Sequence, residues 1–169
     1  YPLLVFDISC GFRPVYIERL TEDKQGFLWV LYPRSVQRVD GRETITCKPA
    51  GPFEGLTSDD AGRVWLASQE HVCLFDQHRQ DFVAIPLETL DSTRRIGSVF
   101  EMPGGRTWLI TSNAFFEYDA RRKIFKHILK DLPIPPNYIT RSFTSCLHTL
   151  FIGHGPYIYQ YNTQSGILD

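Results

Sequence analysis

The stretch DKQGFLWV (residues 23–30) joins an aspartate, a glycine and a tryptophan within eight positions, and its reading decides the fold. DAGRVWLA (60–67) repeats the Gly-x-x-Trp phase, and GGRTWLI (104–110) and LHTLFIG (147–153) echo it. Aligned on the aromatic residue, Trp29, Trp65, Trp108 and Phe151 stand 36, 43 and 43 residues apart. Eleven residues after each comes Asp40, Asp76, Asp119 or Asn162. Two landmarks at one constant offset define a unit of about 40 residues, within the range of propeller repeats.

Inside each unit the apolar period is two, and turn residues interrupt it every six to ten positions, so the chain reads as all-β. Unit one gives strands at VYIERLTE (15–22), FLWVLY (27–32), SVQRVD (35–40) and TITC (44–47). The others repeat the scheme, and the fourth is cut short at Ile167 to Asp169. The second strand of a unit is apolar on both faces, with Phe27, Trp29 and Leu31 on one and Leu28 and Val30 on the other. Such a strand needs cover above and below, which radially stacked blades supply. The expectation is a set of four four-stranded antiparallel β-propeller blades, part of a larger ring. The divisions are 1–12 as a lead-in or closing strand, 13–48, 49–86, 87–130, and a degenerate blade at 131–169. The recurring aromatics Trp29, Trp65, Trp108 and Phe151 are expected as wedges between blades.

The remaining members of the opening stretch read as turn hardware. Asp23 and Gly26, and Asp59 and Gly62, fall at the first and fourth positions of the turn joining first to second strand. There an Asp side chain bonds nearby backbone and Gly accepts positive φ. Unit three keeps Gly105, and unit four has lost both residues. Asp40, Asp76, Asp119 and Asn162 occur singly, one per unit, so they read as turn caps rather than as calcium ligands, which must converge on one ion.

Composition narrows the function. A formal charge of −1 with scattered Lys and Arg leaves no basic stripe for phosphates, so no nucleic-acid partner is expected. No apolar run is long enough for a bilayer span, so no membrane contact is expected of this stretch. The sequence opens at Tyr1, and any targeting segment is expected outside it. Cys10, Cys47, Cys73 and Cys146 form no CxxC pair and read as small buried thiols on strands, although their even number would allow two disulfides in an oxidising compartment. No nucleophile elbow, zinc-protease helix motif or phosphate loop is present, so no catalytic residue and no cofactor are assigned. Cys146, His148 and His154 share a strand face by parity, but one such spacing arises readily by accident, and no metal site is assigned.

The pattern Asp-x-x-Gly-x-apolar-Trp-apolar, then a short loop and apolar-x-x-aromatic-Asp, resembles the two-component regulator propeller repeat. LTEDKQGFLWV…VQRVDG (20–41) is the closest copy and LTSDDAGRVWLAS…VCLFD (56–76) the next. The family's glycines after the tryptophan strand are replaced here by Leu31 to Val36 and by Ala67-Ser68, and only Gly153 keeps one. The resemblance implies a periplasmic sensor region of a hybrid histidine kinase of a gut anaerobe, with no catalysis in this stretch. It also implies an oligosaccharide ligand and the remaining blades as partners. Ligand contacts are expected on the loops between second and third strands and between blades, at Arg34, Gln69, Glu70, His71, Asn113, His154 and Tyr157. Open strand edges predict a homodimer. The alternatives are an enzyme acting on glycans and a protein-interaction propeller.

Overall fold

The computed structural model describes residues 11–39, 43–49, 51–88, 95–102, 104–112, 114–129, 142–146, 148–154 and 157–167. All regular structure among them is strand. The first sheet holds β1 (Arg19–Glu22), β2 (Leu28–Tyr32), β3 (Ser35–Val39) and β4 (Thr44–Cys47). The second holds β5 (Gly55–Ser58), β6 (Val64–Ala67), β7 (Val72–Asp76) and β8 (Asp81–Ala84). The third holds β9 (Ile96–Met102), β10 (Arg106–Thr111), β11 (Phe115–Asp119) and β12 (Ile124–Leu129), and the fourth β13 (Ser142–Cys146), β14 (Thr149–His154) and β15 (Tyr157–Asn162). Every sheet is an antiparallel meander in chain order. These are β-propeller blades.

Neighbouring sheets approach each other along their first strands, β1 beside β5 and β5 beside β9, which makes these the inner strands. Between sheets the packing is carried by the indoles, and Trp29, Trp65 and Trp108 are each at most 1% exposed. Trp29 meets Phe75 at 4.6 Å and Phe82 at 5.9 Å on the second sheet. Trp65 meets Tyr118 at 4.7 Å and Phe125 at 5.5 Å on the third, and Trp108 meets Tyr161 at 5.9 Å on the fourth. Each ring therefore lies against the third or fourth strand of the sheet that follows. Arg38, Arg63 and Arg106 place guanidinium groups over the same three indoles, at 5.9, 5.7 and 5.5 Å. Edge-to-face rings and cation–π contacts add to area burial here.

The fourth repeat departs from the scheme in two ways. Phe151 is only half-buried, while its neighbours Leu150 and Ile152 are fully buried. Leu150 and Ile152 face Trp108 in one core cluster, so by alternation Phe151 faces the side where no further sheet follows among the described residues. Three strands rather than four are described in this sheet. Asn162 N–H nonetheless donates to Ile167 O at 2.8 Å, the first rung of a returning strand. The first strand of unit one is also shorter than its apolar run. Val15, Tyr16 and Ile17 are exposed, because β2 ends at Tyr32 and offers no partner beyond the Glu18 N–H to Leu31 O bond.

The turns between third and fourth strands share one construction. Asp76 Oδ1 accepts the N–H of His78 and Arg79, Asp119 Oδ1 those of Arg121 and Arg122, and Asn162 Oδ1 those of Gln164 and Ser165. Asp40 lies outside the described residues. Four positions after each cap the chain turns left-handed, at Gln80 (φ 53), Lys123 (φ 52) and Gly166 (φ 72). Only glycine takes that conformation without a Cβ penalty of ~1 kcal/mol. Lys123→Gly is therefore expected to raise stability by ~0.5 to 1 kcal/mol, read as a higher urea midpoint at an unchanged slope.

The link from β8 to β9 crosses to the rim of the next sheet. Phe125 N–H donates to Pro86 O at 3.0 Å, Glu88 N–H donates to Phe125 O at 2.9 Å, and Leu87 bridges Phe125 in parallel. Residues 86–88 thus lie along the outer edge of β12.

Candidate functional site

Opposite ends of the inner strands have different chemistry. The end carrying the turns from first to second strand is tied by polar bonds between sheets. Lys24 Nζ donates to Asp60 O at 2.9 Å, Ser58 Oγ to Glu22 O at 2.7 Å, and Asp60 N–H to Glu101 Oε2 at 2.6 Å. Burial is the main cause that pushes the Glu101 carboxyl above its usual range, with the carboxylates of Asp60 and Asp59 acting the same way.

Asp23 and Asp59 do more here than shape turns. Asp59 Oδ1 accepts the Arg63 N–H at 2.9 Å, while Oδ2 accepts the Trp65 indole N–H at 2.7 Å, Arg63 Nε at 2.7 Å and the Thr107 hydroxyl at 2.9 Å. Asp23 likewise takes the Trp29 indole N–H at 2.7 Å and the N–H groups of Gln25 and Phe27. A buried indole N–H needs an acceptor. In unit three the equivalent position is Met102, whose side chain carries no oxygen, and Trp108 donates instead to Glu117 Oε2 on β11 at 3.2 Å. Sequence reading missed this role, although its signal was present: the acid precedes the tryptophan by six residues in both intact copies.

At the other end a cavity of about 310 Å³ opens among β1, β5 and β9. Arg19, Glu54, Gly55, Thr57, Gly97 and Ser98 supply its polar and backbone lining, with Leu56, Val99, Ala67 and an edge of Trp65 behind them. Arg19 is exposed, and its guanidinium donates to Glu18 O at 3.1 Å. Glu54 Oε1 accepts the amide of Gln69 at 3.2 Å. Among the described residues the hydroxyls of Thr57 and Ser98 reach only neighbouring backbone carbonyls, each at 3.4 Å. Gly97 is the extra residue of a β-bulge: Ser98 pairs Ile110 and Ile96 pairs Thr111, so Gly97 has no rung of its own. Bulges and strand glycines occur where a side chain is re-aimed or a ligand approaches backbone.

Of the seven loop residues expected to touch a ligand, Gln69 is the one tied to this cavity, by its amide to Glu54 and by its carbonyl, which accepts Ile96 N–H at 2.8 Å. Arg34 is exposed in the turn between β2 and β3. Glu70 and His71 are exposed and face each other at 3.9 Å. Tyr157 is 58% exposed and rests on Tyr159 at 6.2 Å. No hydrogen bond, ion pair or ring contact joins Arg34, the Glu70 and His71 pair and Tyr157 to one another among the described residues. Asn113 and the side chain of His154 lie outside the described residues. The cavity residues escaped sequence reading because they are short polar interruptions in otherwise regular strands. Among the described residues no three His, Cys, Asp or Glu side chains converge as metal ligands. No helix there is long and apolar enough to cross a membrane.

The cysteines divide. Cys47 and Cys73 are buried in one core cluster, and burial, with the charge of Asp81 adding to it, pushes each thiol up to about 11. Cys146 at the end of β13 is exposed, unlike the buried strand thiol expected from sequence, because that end of the strand gains no cover. Cys10 lies outside the described residues. Since the thiolate is the reacting species, brief iodoacetamide treatment at pH 8 should alkylate Cys146 and spare Cys47 and Cys73 until denaturant is added. Peptide mass spectrometry reads the outcome.

No family model matches the chain, and no curated protein matches it in sequence. Solved structures do match. The extracellular domain of the hybrid two-component system BT3049 from B. thetaiotaomicron superposes with a TM-score of 0.73 at 18% identity, over 98% of this chain and 26% of that one. That of the hybrid two-component system BT4673 from the same organism gives 0.71 at 13% identity, over 90% and 24%. Virginiamycin B lyase from Staphylococcus aureus gives 0.68 at 15% identity, over 89% and 53%. The chain spans about a quarter of the length of the two hybrid-system domains, and at these identities what it shares with all three is the propeller fold.

Proposed function

We propose that this chain is a periplasmic, non-catalytic ligand-sensing segment of a hybrid two-component sensor, recognising a glycan fragment. The observation that carries the reading is the cavity of about 310 Å³ built by the inner strands of three successive sheets, which offers a guanidinium, a carboxylate and two hydroxyls. Convergent polar groups in a concave site are what a small polar ligand needs. Similarity to extracellular domains of hybrid two-component systems supports the sensory context. Glu54 is the single carboxylate among the cavity's described lining, and no histidine, cysteine or lysine joins it. That leaves no acid and base pair for glycan cleavage.

Leu20 on the first sheet and Ile158 on the fourth are 56% and 78% exposed. In this reading further blades of the same protein, or a second copy, cover them. Titration calorimetry with a panel of glycan fragments, followed by chromatography of the mixtures, tests the reading. Heat without product is the expected result; a cleaved glycan would replace the sensor with an enzyme, and silence across the panel would remove the glycan.

A further inference from the structure

We propose that Glu101 is a proton-operated clasp between the second and third sheets: neutral, it holds the β5–β6 turn down on β9, and ionised, it loosens that seam. The proposal is independent of what the cavity at the other end binds.

Strand register places the side chain. Glu101 pairs Thr107 across β9 and β10, so the two share one face of the third sheet. The Thr107 hydroxyl on that face donates to Asp59 Oδ2 at 2.9 Å, which sets Glu101 against the same turn of the second sheet. Glu101 Oε2 accepts the Asp60 N–H at 2.6 Å, while Oε1 is closed off from solvent and has no hydrogen-bond donor. A carboxylate spreads its charge over two oxygens and needs donors at both, whereas the neutral acid has one acceptor oxygen and one hydroxyl. Satisfying one oxygen and starving the other favours the neutral form.

Facing charges act in the same direction. β9 packs on β5 and β6, and neither strand has a charged residue, so the titratable groups opposite Glu101 are Asp59, Asp60 and Arg63 of the turn region between them. Burial is the largest cause raising the Glu101 carboxyl, and the Asp60 and Asp59 carboxylates add to it against the lowering effect of the Asp60 N–H. Arg63 is committed to Asp59 at 2.7 Å and to the Thr107 hydroxyl at 2.8 Å. Lys24 from the first sheet binds the Asp60 carbonyl, and Arg106 on the third stands 3.9 Å from Glu117. Among the described residues no cation is paired with Glu101.

A carboxyl raised on folding contributes stability below its unfolded value, and that contribution is lost as pH rises through the folded value. The seam therefore weakens as pH climbs out of the ordinary glutamate range.

The test is a titration of the full chain and of Glu101→Gln from about pH 4 to about pH 8, spanning the range above an ordinary glutamate. Carbon-13 NMR follows the Glu101 carboxyl in the parent, nitrogen-15 NMR follows the Asp60 amide in both, and urea unfolding gives the midpoints. The Glu101 carboxyl should titrate above the ordinary range, with the Asp60 amide shifting at the same midpoint, and Glu101→Gln should abolish that shift. Glutamine stands in for the neutral acid, so its urea midpoint should match the parent's at the acid end and exceed it increasingly toward pH 8. A Glu101 carboxyl that titrates in the ordinary range overturns the proposal, and the parent alone suffices to show it. A gap in urea midpoint that stays constant or shrinks as pH rises overturns it as well.

Discussion

Trp65→Ala is expected to destabilise the protein by ~3 to 5 kcal/mol, one of the largest effects of any single substitution among the described residues. The ring is fully buried between the second and third sheets, where Tyr118 and Phe125 close on it. Truncation loses the transfer energy of the indole and leaves a cavity that strands on both sides cannot collapse to fill. Phe151 supplies the internal comparison. It holds the equivalent repeat position but is only half-buried, so Phe151→Ala should cost about 1 kcal/mol. Urea unfolding of both variants measures the difference. Equal losses would mean that packing between sheets does not hold the fold together.

The second large effect belongs to Asp59. Its carboxylate is 2% exposed and gathers four donors from two sheets: the Arg63 backbone and side chain, the Trp65 indole and the Thr107 hydroxyl. Asp59→Ala strands all four and leaves the Arg63 guanidinium, 22% exposed, without its counter-ion. A loss of about 3 kcal/mol or more is expected. Asp59→Asn should recover little of it, since an amide presents N–H groups where one carboxylate oxygen now takes three donors. Glu117→Gln provides the contrast. Glu117 accepts the Trp108 indole from a half-exposed strand position, water can replace it, and the cost should stay below about 1 kcal/mol. Equal costs at Asp59 and Glu117 would remove burial as the source of the effect.

These two substitutions also mark what sequence could and could not convey. The phase of Trp29, Trp65 and Trp108 was legible because a wedge between sheets recurs once per blade, and the second strands read as apolar on both faces because both faces are covered. The acid six residues before each of the first two indoles was visible as a turn residue, yet its hold on the indole was not, because turn chemistry alone already accounts for an aspartate there. Phe151 matched the repeat by position but faces no following sheet among the described residues, a matter of neighbours rather than of local pattern. For the candidate site, loops drew attention and inner strands did not. IGSVFEM (96–102) reads as an unbroken strand, and although its glycine can signal a bulge, nothing in the stretch says that Ser98 lines one cavity with Arg19 and Glu54.

Residues 86–88, laid along β12, have a mechanical consequence. The chain leaving the second sheet is stitched into the rim of the third before it enters that sheet's centre, so tension on one is transmitted to the other through the Phe125 amide and carbonyl. The pair should therefore rupture as one body under load instead of peeling away sheet by sheet.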